Sequence, residues 1–209
     1  LSNASYYVNC AMKRGLKIDD FAPRISFFFG CHNNFVEEIC KFRAARVMWY
    51  EMLKKYNPKN PKSSMLRFHT QTAGVTLTAQ QPMVNTIRVA YQALAAVLGG
   101  TQSLHTNSYD EAIGLPTEDA VTIALRTQQV LASETNIIEY PDLFSGSILI
   151  EKITTGLIAD ANIIMNKIEK SGGAMECISA GMQQRMIHES AWKHLEDVES
   201  GTLMNHTLL

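Results

Sequence analysis

The stretch SSMLRFHTQTAG, residues 63–74, decides the fold, because its side chains alternate between apolar and polar with a period of two. The apolar side holds Leu66, Phe68 and Thr70, and the other side holds Met65, Arg67, His69 and Gln71. This alternation predicts a β-strand over residues 65–70 with one face on a core. The other face carries an arginine, a histidine and a glutamine in register, and it ends in a small-residue turn at residues 72–74. Such a face requires a polar partner.

The composition is that of a globular protein without a strong electric field. The chain has 209 residues, of which 46% are hydrophobic, and a formal charge of −1 with a pI near 6.7. This length suffices for a substantial core and for one or two domains. The near-neutral charge does not favour binding to nucleic acid or to an anionic membrane. No apolar run is long enough for a membrane helix, so we expect a cytoplasmic protein.

Cysteines and histidines give no pattern of a metal site or a hydrolase. The four cysteines contain no CxxC pair, and the six histidines form no HxH or HxxxH pair. We therefore expect reduced structural thiols and no metal site. The chain also has no initiator methionine and begins inside a predicted helix, residues 6–14. It is expected to be part of a longer protein.

Three strand–helix units follow one another, and this order predicts an α/β fold. The predicted strands cover residues 24–29, 65–70 and 102–106, and the helices after them cover residues 34–56, 82–98 and 118–134, the last with Thr117 as its N-cap. A loop, residues 137–147, and further helices, residues 149–170 and onward to 199, show no strand pattern. We therefore divide the chain into residues 1–136, the strand–helix part, and residues 137–209, a loop and helices.

Three such units fit either a doubly wound sheet or part of a (β/α)8 barrel. No glycine-rich phosphate fingerprint follows any strand, which weakens the first alternative. Each predicted strand pairs an apolar face with a face that carries polar groups. In a barrel the polar faces line the interior, where they require a ligand along the axis or trapped water. A complete barrel takes roughly 250 residues, so the other strands are expected outside this sequence.

Single histidines on strands have two interpretations at this stage. His69 and His105 occupy matching positions on the polar faces of two strands. A lone strand histidine is more often a structural hydrogen-bonding group than a catalyst, and we favour the structural role for each. Their recurrence at matching positions keeps ligand contact open.

Five stretches together resemble the large-subunit barrel of adenosylcobalamin-dependent acyl-CoA mutases, the methylmalonyl-CoA mutase family. These stretches are FAPRISFFFG (21–30), KFRAARVMWYEM (41–52), PKSSMLRFHTQTAGVTLTAQQP (61–82), GGTQSLHTNSYDEAIGLPTEDAVTIALRTQQ (99–129) and KSGGAMECISAG (170–181). The resemblance implies the last three βα units of a (β/α)8 TIM barrel, followed by a helical segment. It also implies adenosylcobalamin as cofactor, an acyl-CoA substrate, and a cobalamin-binding small subunit or domain as partner in a homo- or hetero-oligomer.

The resemblance assigns binding roles to individual positions. Those implied to contact the CoA part of the substrate are Arg24 and Ser26. Those implied to contact the corrin are Gln71, Gly74 and Val75, and those implied to contact the adenosyl ribose or to lie beside it are Glu111, Gly114 and Leu115. The small turn at Gly74 suits close approach of the backbone to a ring, and a carboxylate at Glu111 suits both hydroxyls of a ribose.

The implied reaction is the interconversion of methylmalonyl-CoA and succinyl-CoA by carbon-skeleton rearrangement. FRAAR (42–46) and LRFHTQTAGVTLTAQQP (66–82) are closer to isobutyryl-type large subunits, so isobutyryl-CoA or 2-hydroxyisobutyryl-CoA is the alternative substrate. A further alternative is an inactive interaction protein derived from the barrel. The residues that hold the acyl group in the family precede this segment, and the cobalt-ligating DxHxxG motif is absent from the sequence. We therefore assign no catalytic residue and expect no turnover by this chain alone.

Overall fold

The computed structural model describes residues 1–203, which form three β-strands and eight α-helices. The strands are β1 (Phe27–Cys31), β2 (Phe68–Thr72) and β3 (Ser103–His105). The helices are α1 (Ser2–Lys13), α2 (Ile18–Phe21), α3 (Phe35–Lys54), α4 (Asn85–Leu98), α5 (Glu118–Ser133), α6 (Ile148–Lys170), α7 (Ala174–Ser179) and α8 (Met182–Glu199). Short 3-10 turns cover Ala22–Arg24, Pro61–Ser64, Gly74–Thr76, Pro82–Val84 and Ile137–Glu139.

The three strands form one parallel sheet in the order β1-β2-β3. The register aligns Phe28 with His69 and Ser103, and Gly30 with Gln71 and His105. The helices α3, α4 and α5 follow the three strands in turn. This arrangement confirms the prediction of an α/β fold with successive parallel βα units. Among residues 137–203 there is no strand, as predicted.

All three strands begin later than the sequence predicts, β3 by one residue and the other two by more. Arg24 belongs to a 3-10 turn that contains Pro23, which has no N–H to give to a ladder. The first hydrogen bond between β1 and the segment that leads into β2 joins the Phe27 N–H to the Arg67 carbonyl at 2.8 Å. The predicted strand starts at residues 24 and 65 are therefore wrong by three residues, and both strands extend two residues further than predicted.

The third strand ends one residue early, and the predicted helices are confirmed with small shifts. The Thr106 hydroxyl donates to the Ala124 carbonyl of α5 at 2.6 Å, which turns residue 106 away from the ladder. Thr117 caps α5, because its hydroxyl accepts from the Ala120 N–H at 3.3 Å. The helix predicted over residues 82–98 starts as a 3-10 turn, and its α-helical part begins at Asn85.

One face of the sheet is buried against α3 and α4. Phe68 of β2 stacks on Phe42 of α3 with ring centroids 5.1 Å apart, and both residues are almost fully buried. Trp49 of α3 meets Phe27 of β1 edge to face at 4.9 Å. These aromatic contacts form the centre of the core, where packing contributes most to stability.

The helices after residue 136 pack on the outside of this unit. The α6 helix lies along α3, and Arg43 of α3 bonds Asp142 at 2.7 Å and Glu151 at 2.6 Å. A small second core joins α7 to α1 through Cys177 and Tyr6. The domain boundary at residue 136 stays a prediction. Within residues 1–203, every helix is too short or too polar to cross a membrane.

Candidate functional site

The second face of the sheet carries the polar side chains that the alternation predicts. His69 and Gln71 share this face with Ser103, His105 and Phe28. The His69 Nδ1 lies 2.7 Å from the Ser103 Oγ, and the Phe28 and His69 rings lie 4.9 Å apart. Phe28 is 63% exposed, although it stands on a strand of the sheet. The prediction of a polar face opposite the core is therefore confirmed, and we call it the open face.

The open face ends in a concavity of about 550 Å³ at the carboxyl ends of the strands. It is lined by Phe28, Gly30, His32, Gln71, Thr72, Ala73, Gly74, Val75, Asn107 and Glu111. Ligands of parallel α/β folds bind at this end of the sheet, because the loops after successive strands converge there. We call this concavity the strand-end pocket.

Asn107 joins the ends of two strands and orients Gln71. Its backbone N–H donates to the Thr72 hydroxyl, and its Nδ2 donates to the Thr72 carbonyl, both at 2.9 Å. Its side-chain oxygen, Oδ1, accepts from the Gln71 Nε2 at 2.8 Å. Asn107 is buried, so these bonds are shielded from water. The Gln71 side chain is consequently held with its carbonyl oxygen and its second N–H left for a ligand.

Gly74 stands where a side chain has no room. A Cβ at this position would lie 2.9 Å from the Asn107 Nδ2 and 3.3 Å from the Glu111 Cγ. Only glycine therefore allows the turn after β2 to approach these two side chains so closely. Val75, the next residue, is 85% exposed in the pocket. The turn thus presents backbone and one aliphatic side chain to the pocket.

Glu111 reaches the pocket from the loop between β3 and α5. Its carboxylate makes no hydrogen bond or ion pair with residues 1–203, so both oxygens are free to accept. The preceding residue fixes the loop: Asp110 is buried, its Oδ2 accepts from the Thr117 N–H at 2.9 Å, and its carbonyl accepts from the Ile113 N–H at 2.8 Å. Asp110 therefore anchors the turn that places Glu111.

Charged groups border the pocket on the β1 side. The Lys41 ammonium donates to the Gly30 carbonyl at 2.8 Å and pairs with Glu38, which also accepts from the His32 N–H at 3.0 Å. Partial burial lowers the pKa of the His32 ring, which favours the neutral imidazole in the pocket. Burial also raises the pKa of the Cys31 thiol to about 12, so Cys31 is not a thiolate nucleophile.

The structure brings four of the predicted binding residues together and leaves four elsewhere. Those in the pocket are Gln71, Gly74, Val75 and Glu111. Arg24 and Ser26 lie exposed before β1, at the opposite end of the sheet. Gly114 and Leu115 lie on the exposed turn after Glu111 and are outside the lining of the pocket. All eight assignments of ligand contacts stay predictions.

Sequence reasoning missed several residues of this end of the sheet. Gly30 and His32 line the pocket because β1 runs further than predicted, so the error in the strand bounds hid them. Gln92 of α4 was missed although a pattern existed: it interrupts the apolar spacing of Val89, Ala93 and Ala96 on one helix face. A buried polar side chain at such a position needs partners, and here the partners are loops of the pocket.

The comparisons with known proteins concern the family of the whole chain. The sequence model described as Methylmalonyl-CoA mutase matches residues 1–205. The chain belongs to this family. It is 45% identical over 202 residues to the 2-hydroxyisobutanoyl-CoA mutase large subunit of Aquincola tertiaricarbonis, with 96% of this chain and 36% of the relative aligned.

Methylmalonyl-CoA mutases match at similar identity. The protein of Escherichia coli is 42% identical over 201 residues, with 96% of this chain and 28% of the relative aligned, and the human mitochondrial protein is 42% identical over 203 residues, with 97% and 27% aligned. The chain thus spans between about a quarter and a third of the length of these relatives. The enzymatic activities of the relatives belong to proteins much longer than this sequence.

Proposed function

We propose that this chain is the C-terminal part of the substrate-binding (β/α)8 barrel of an adenosylcobalamin-dependent acyl-CoA mutase. The preferred reaction is the interconversion of methylmalonyl-CoA and succinyl-CoA by carbon-skeleton rearrangement. Family membership supports the reaction class, and three successive parallel βα units with a polar open face support the barrel segment. The rest of the barrel, the other half of the substrate site and a cobalamin-binding subunit or domain would come from outside these residues.

The observation that carries the proposal is the convergence of Gln71, Gly74, Val75 and Glu111 on the strand-end pocket. Gln71, Gly74 and Val75 come from the end of β2 and the turn after it, whereas Glu111 comes from the loop after β3, 36 or more positions later in sequence. The pocket offers a close backbone approach, an oriented amide oxygen, an exposed aliphatic group and a free carboxylate. This set of groups fits a flat ring system with a ribose beside it, as the corrin and the adenosyl group of adenosylcobalamin would present.

Within this proposal the chain binds and orients the cofactor. Gly74 and Val75 would lie against the corrin, with Gln71 accepting or donating a hydrogen bond at its edge, and Glu111 would accept from the two hydroxyls of the adenosyl ribose. Adenosylcobalamin supplies the radical chemistry of the rearrangement when it is bound. The role of this chain is to hold that group at the mouth of the barrel and to help exclude water.

The opposite end of the sheet suits the other end of an elongated substrate. Arg24 and Ser26 are exposed before β1, and arginine and serine are suited to phosphate and amide groups. Between the two ends the open face offers His69, Ser103 and His105 as hydrogen-bonding groups. An acyl-CoA lying along this face would have its CoA part at Arg24 and its acyl group near the strand-end pocket.

Two observations support a different substrate as the alternative. The Aquincola large subunit is 45% identical, slightly more than the methylmalonyl-CoA mutases named above. In addition, position 75 holds a small valine at the pocket, where a larger side chain would fill part of the space. Isobutyryl-CoA or 2-hydroxyisobutyryl-CoA is therefore the alternative substrate class, for an enzyme with a separate cobalamin-binding small subunit.

The test is turnover by the full-length protein that contains this sequence. It is mixed with its cobalamin-binding subunit or domain and adenosylcobalamin, and methylmalonyl-CoA, isobutyryl-CoA and 2-hydroxyisobutyryl-CoA are offered separately. Isomerised product, identified by mass spectrometry and absent without adenosylcobalamin, is the expected result. Product from one of the branched substrates other than methylmalonyl-CoA would select the alternative. Absence of product from all three would overturn the proposed function and leave the inactive interaction protein.

A further inference from the structure

Gln92 is the buried side chain that connects the loops of the strand-end pocket. It lies on α4 with only 1% of its surface exposed, on the buried side of the loop that carries the pocket residue Ala73. Its Oε1 accepts from the Ala73 N–H at 3.1 Å, in the turn that precedes Gly74. Its Nε2 donates to the Thr76 hydroxyl at 2.7 Å and to the Asn33 Oδ1 at 2.6 Å. Both N–H donors of the amide and one of the two acceptor positions of its oxygen are therefore used.

These bonds join two loops that follow different strands. Asn33 belongs to the loop after β1, whereas Ala73 and Thr76 belong to the turn after β2. The backbone of the same residue adds a further tie to β1, because the Gln92 carbonyl accepts from the Cys31 thiol at 3.2 Å. The Ala73 N–H is shared between Gln92 and the Cys31 carbonyl, which lies 2.8 Å away. Gln92 thus fixes the position of one loop relative to the other.

We infer that Gln92 is a positioning residue, which sets the placement of the Gly74 turn so that the strand-end pocket can receive its ligand. The inference rests on the proposed function, and the ligand is taken to be adenosylcobalamin. Gln92 itself does not line the pocket. A buried amide whose two donors and oxygen are all paired holds a single local geometry, because a shift leaves a polar group unpaired.

The first test replaces the amide and measures cofactor binding separately from protein stability. In the full-length protein with its cobalamin-binding partner, Gln92→Leu is expected to weaken adenosylcobalamin binding at least about tenfold, as the loss of oriented hydrogen bonds predicts. The apparent KM for the cofactor rises by the same factor, while kcat at saturating cofactor stays within about threefold, because the ligand contacts themselves remain. A role in overall stability alone would lower the active fraction without changing the KM, and that result would overturn the inference.

A second variant keeps the shape and removes only the donors. Gln92→Glu retains an oxygen for the Ala73 N–H, but a carboxylate cannot donate to Thr76 or Asn33. Burial raises the pKa of such a carboxyl, so acidification restores a donor as the group becomes protonated. Binding by Gln92→Glu is expected to improve relative to wild type as the pH falls from about 8 towards about 6. A constant ratio of the two affinities across this range would count against the inference.

Wild type and Gln92→Glu have the same other titratable groups near residue 92. The Cys31 thiol, which contacts the Gln92 backbone, has its pKa raised by burial to about 12 and stays protonated throughout. His32, on the same loop as Asn33, and its neighbours Glu38 and Lys41 are present in wild type and variant alike. Comparison at each pH therefore isolates residue 92.

Hydrogen exchange of the ligand-free protein separates this inference from the proposed function. Gln92→Leu is expected to speed exchange in the peptides that contain residues 31–34 and 73–77. Gln128→Leu is the matched control, since Gln128 also donates from a helix to a threonine, Thr106, but lies away from the pocket. Unchanged exchange in Gln92→Leu, or faster exchange with unchanged affinity, would refute the positioning role. If wild type binds no adenosylcobalamin, the proposed function fails, and faster exchange would then still establish Gln92 as the tie between the loops.

Discussion

The two faces of the three-stranded sheet are built from the same strands and differ in almost every physical respect. On the buried face, Phe68 is 2% exposed and stacks on Phe42 of α3. On the open face, Phe28 is 63% exposed and lies beside His69. Helices cover the first face, whereas no helix within residues 1–203 covers the second at Phe28.

This difference separates the two functions of the sheet. The buried face is apolar and closely packed, so it supplies free energy of folding. The open face and its strand-end pocket hold polar groups with unused hydrogen-bonding capacity, such as the Glu111 carboxylate, and these contribute less to folding than the buried aromatic rings. Substitutions on the first face should therefore change stability, and substitutions on the second should change affinity.

The largest expected effect compares two phenylalanines. Phe68→Ala removes a fully buried ring and should lower the free energy of unfolding by about 3–5 kcal/mol. Phe28→Ala, one strand away on the open face, should lower it by less than about 1 kcal/mol, because little area is buried there. Urea unfolding followed by circular dichroism measures both. Equal losses would show that the open face is covered in the folded protein.

A smaller effect is expected where α4 meets α3. A Cβ on Gly99 would collide with the ring of Phe42, so Gly99→Ala should cost about 1–3 kcal/mol of unfolding free energy through overpacking. Gly156→Ala is the matched control, because nothing lies within 4 Å of its Cβ position in the middle of α6. That change should stabilise the protein by about 1 kcal/mol through helix propensity. Destabilisation by both would point to a general intolerance of added methyl groups.

The strand-end pocket is tested by its free carboxylate. Glu111→Gln should weaken adenosylcobalamin binding about tenfold in the full-length protein with its partner, because a charge-assisted acceptor becomes a neutral one. Its unfolding midpoint should match wild type, since Glu111 bonds no other residue of the described chain. Glu189→Gln on α8 serves as control and should change neither quantity. Binding that survives in Glu111→Gln would remove this residue from the site.

The smallest effect concerns acid stability at the amino ends of the strands. A hydrogen bond from Ser63 at 2.7 Å, followed by one from the Lys59 N–H at 2.9 Å, lowers the pKa of the Asp19 carboxyl. A lowered pKa in the folded state stabilises the protein above the ordinary aspartate value of about 3.9, and this contribution is lost as the pH falls through the lowered value.

The free energy of unfolding of wild type should consequently fall more steeply between about pH 5 and pH 3 than that of Asp19→Asn. Denaturant titrations at several pH values give both slopes. Parallel slopes would mean that the carboxylate bonds are exchanged for water at no net gain. Ligand affinity at the strand-end pocket should be equal in the two proteins, since Asp19 lies outside its lining.

Periodicity sufficed for the architecture because alternation and helical spacing are local properties of the chain. The strand face of His69 and Gln71, the N-cap at Thr117 and the helical tail were all predictable on this ground. The strand ends were not, because they depend on contacts between distant residues, such as the bond from Thr106 to Ala124.

The strand-end pocket was predictable only in part. The resemblance to acyl-CoA mutases drew attention to Gly74 and Glu111, but only the fold shows that they meet. The Glu111 Cγ lies 3.3 Å from the position that a Cβ on Gly74 would occupy. Gln92 could have been singled out as a polar residue in an apolar helix stripe. Its partners could not, since they lie on two separate loops.

The most direct test of the strand-end pocket as the proposed cofactor site is an adenosylcobalamin titration of the full-length protein with the proposed cobalamin-binding partner. Wild type, Gly74→Ala and Gly156→Ala are compared through the change in the cobalamin absorption spectrum. The added methyl of Gly74→Ala would push against Asn107 and Glu111, so its affinity should fall at least about tenfold, whereas Gly156→Ala should bind like wild type. Equal affinities for all three would contradict the assignment of the strand-end pocket to the cofactor.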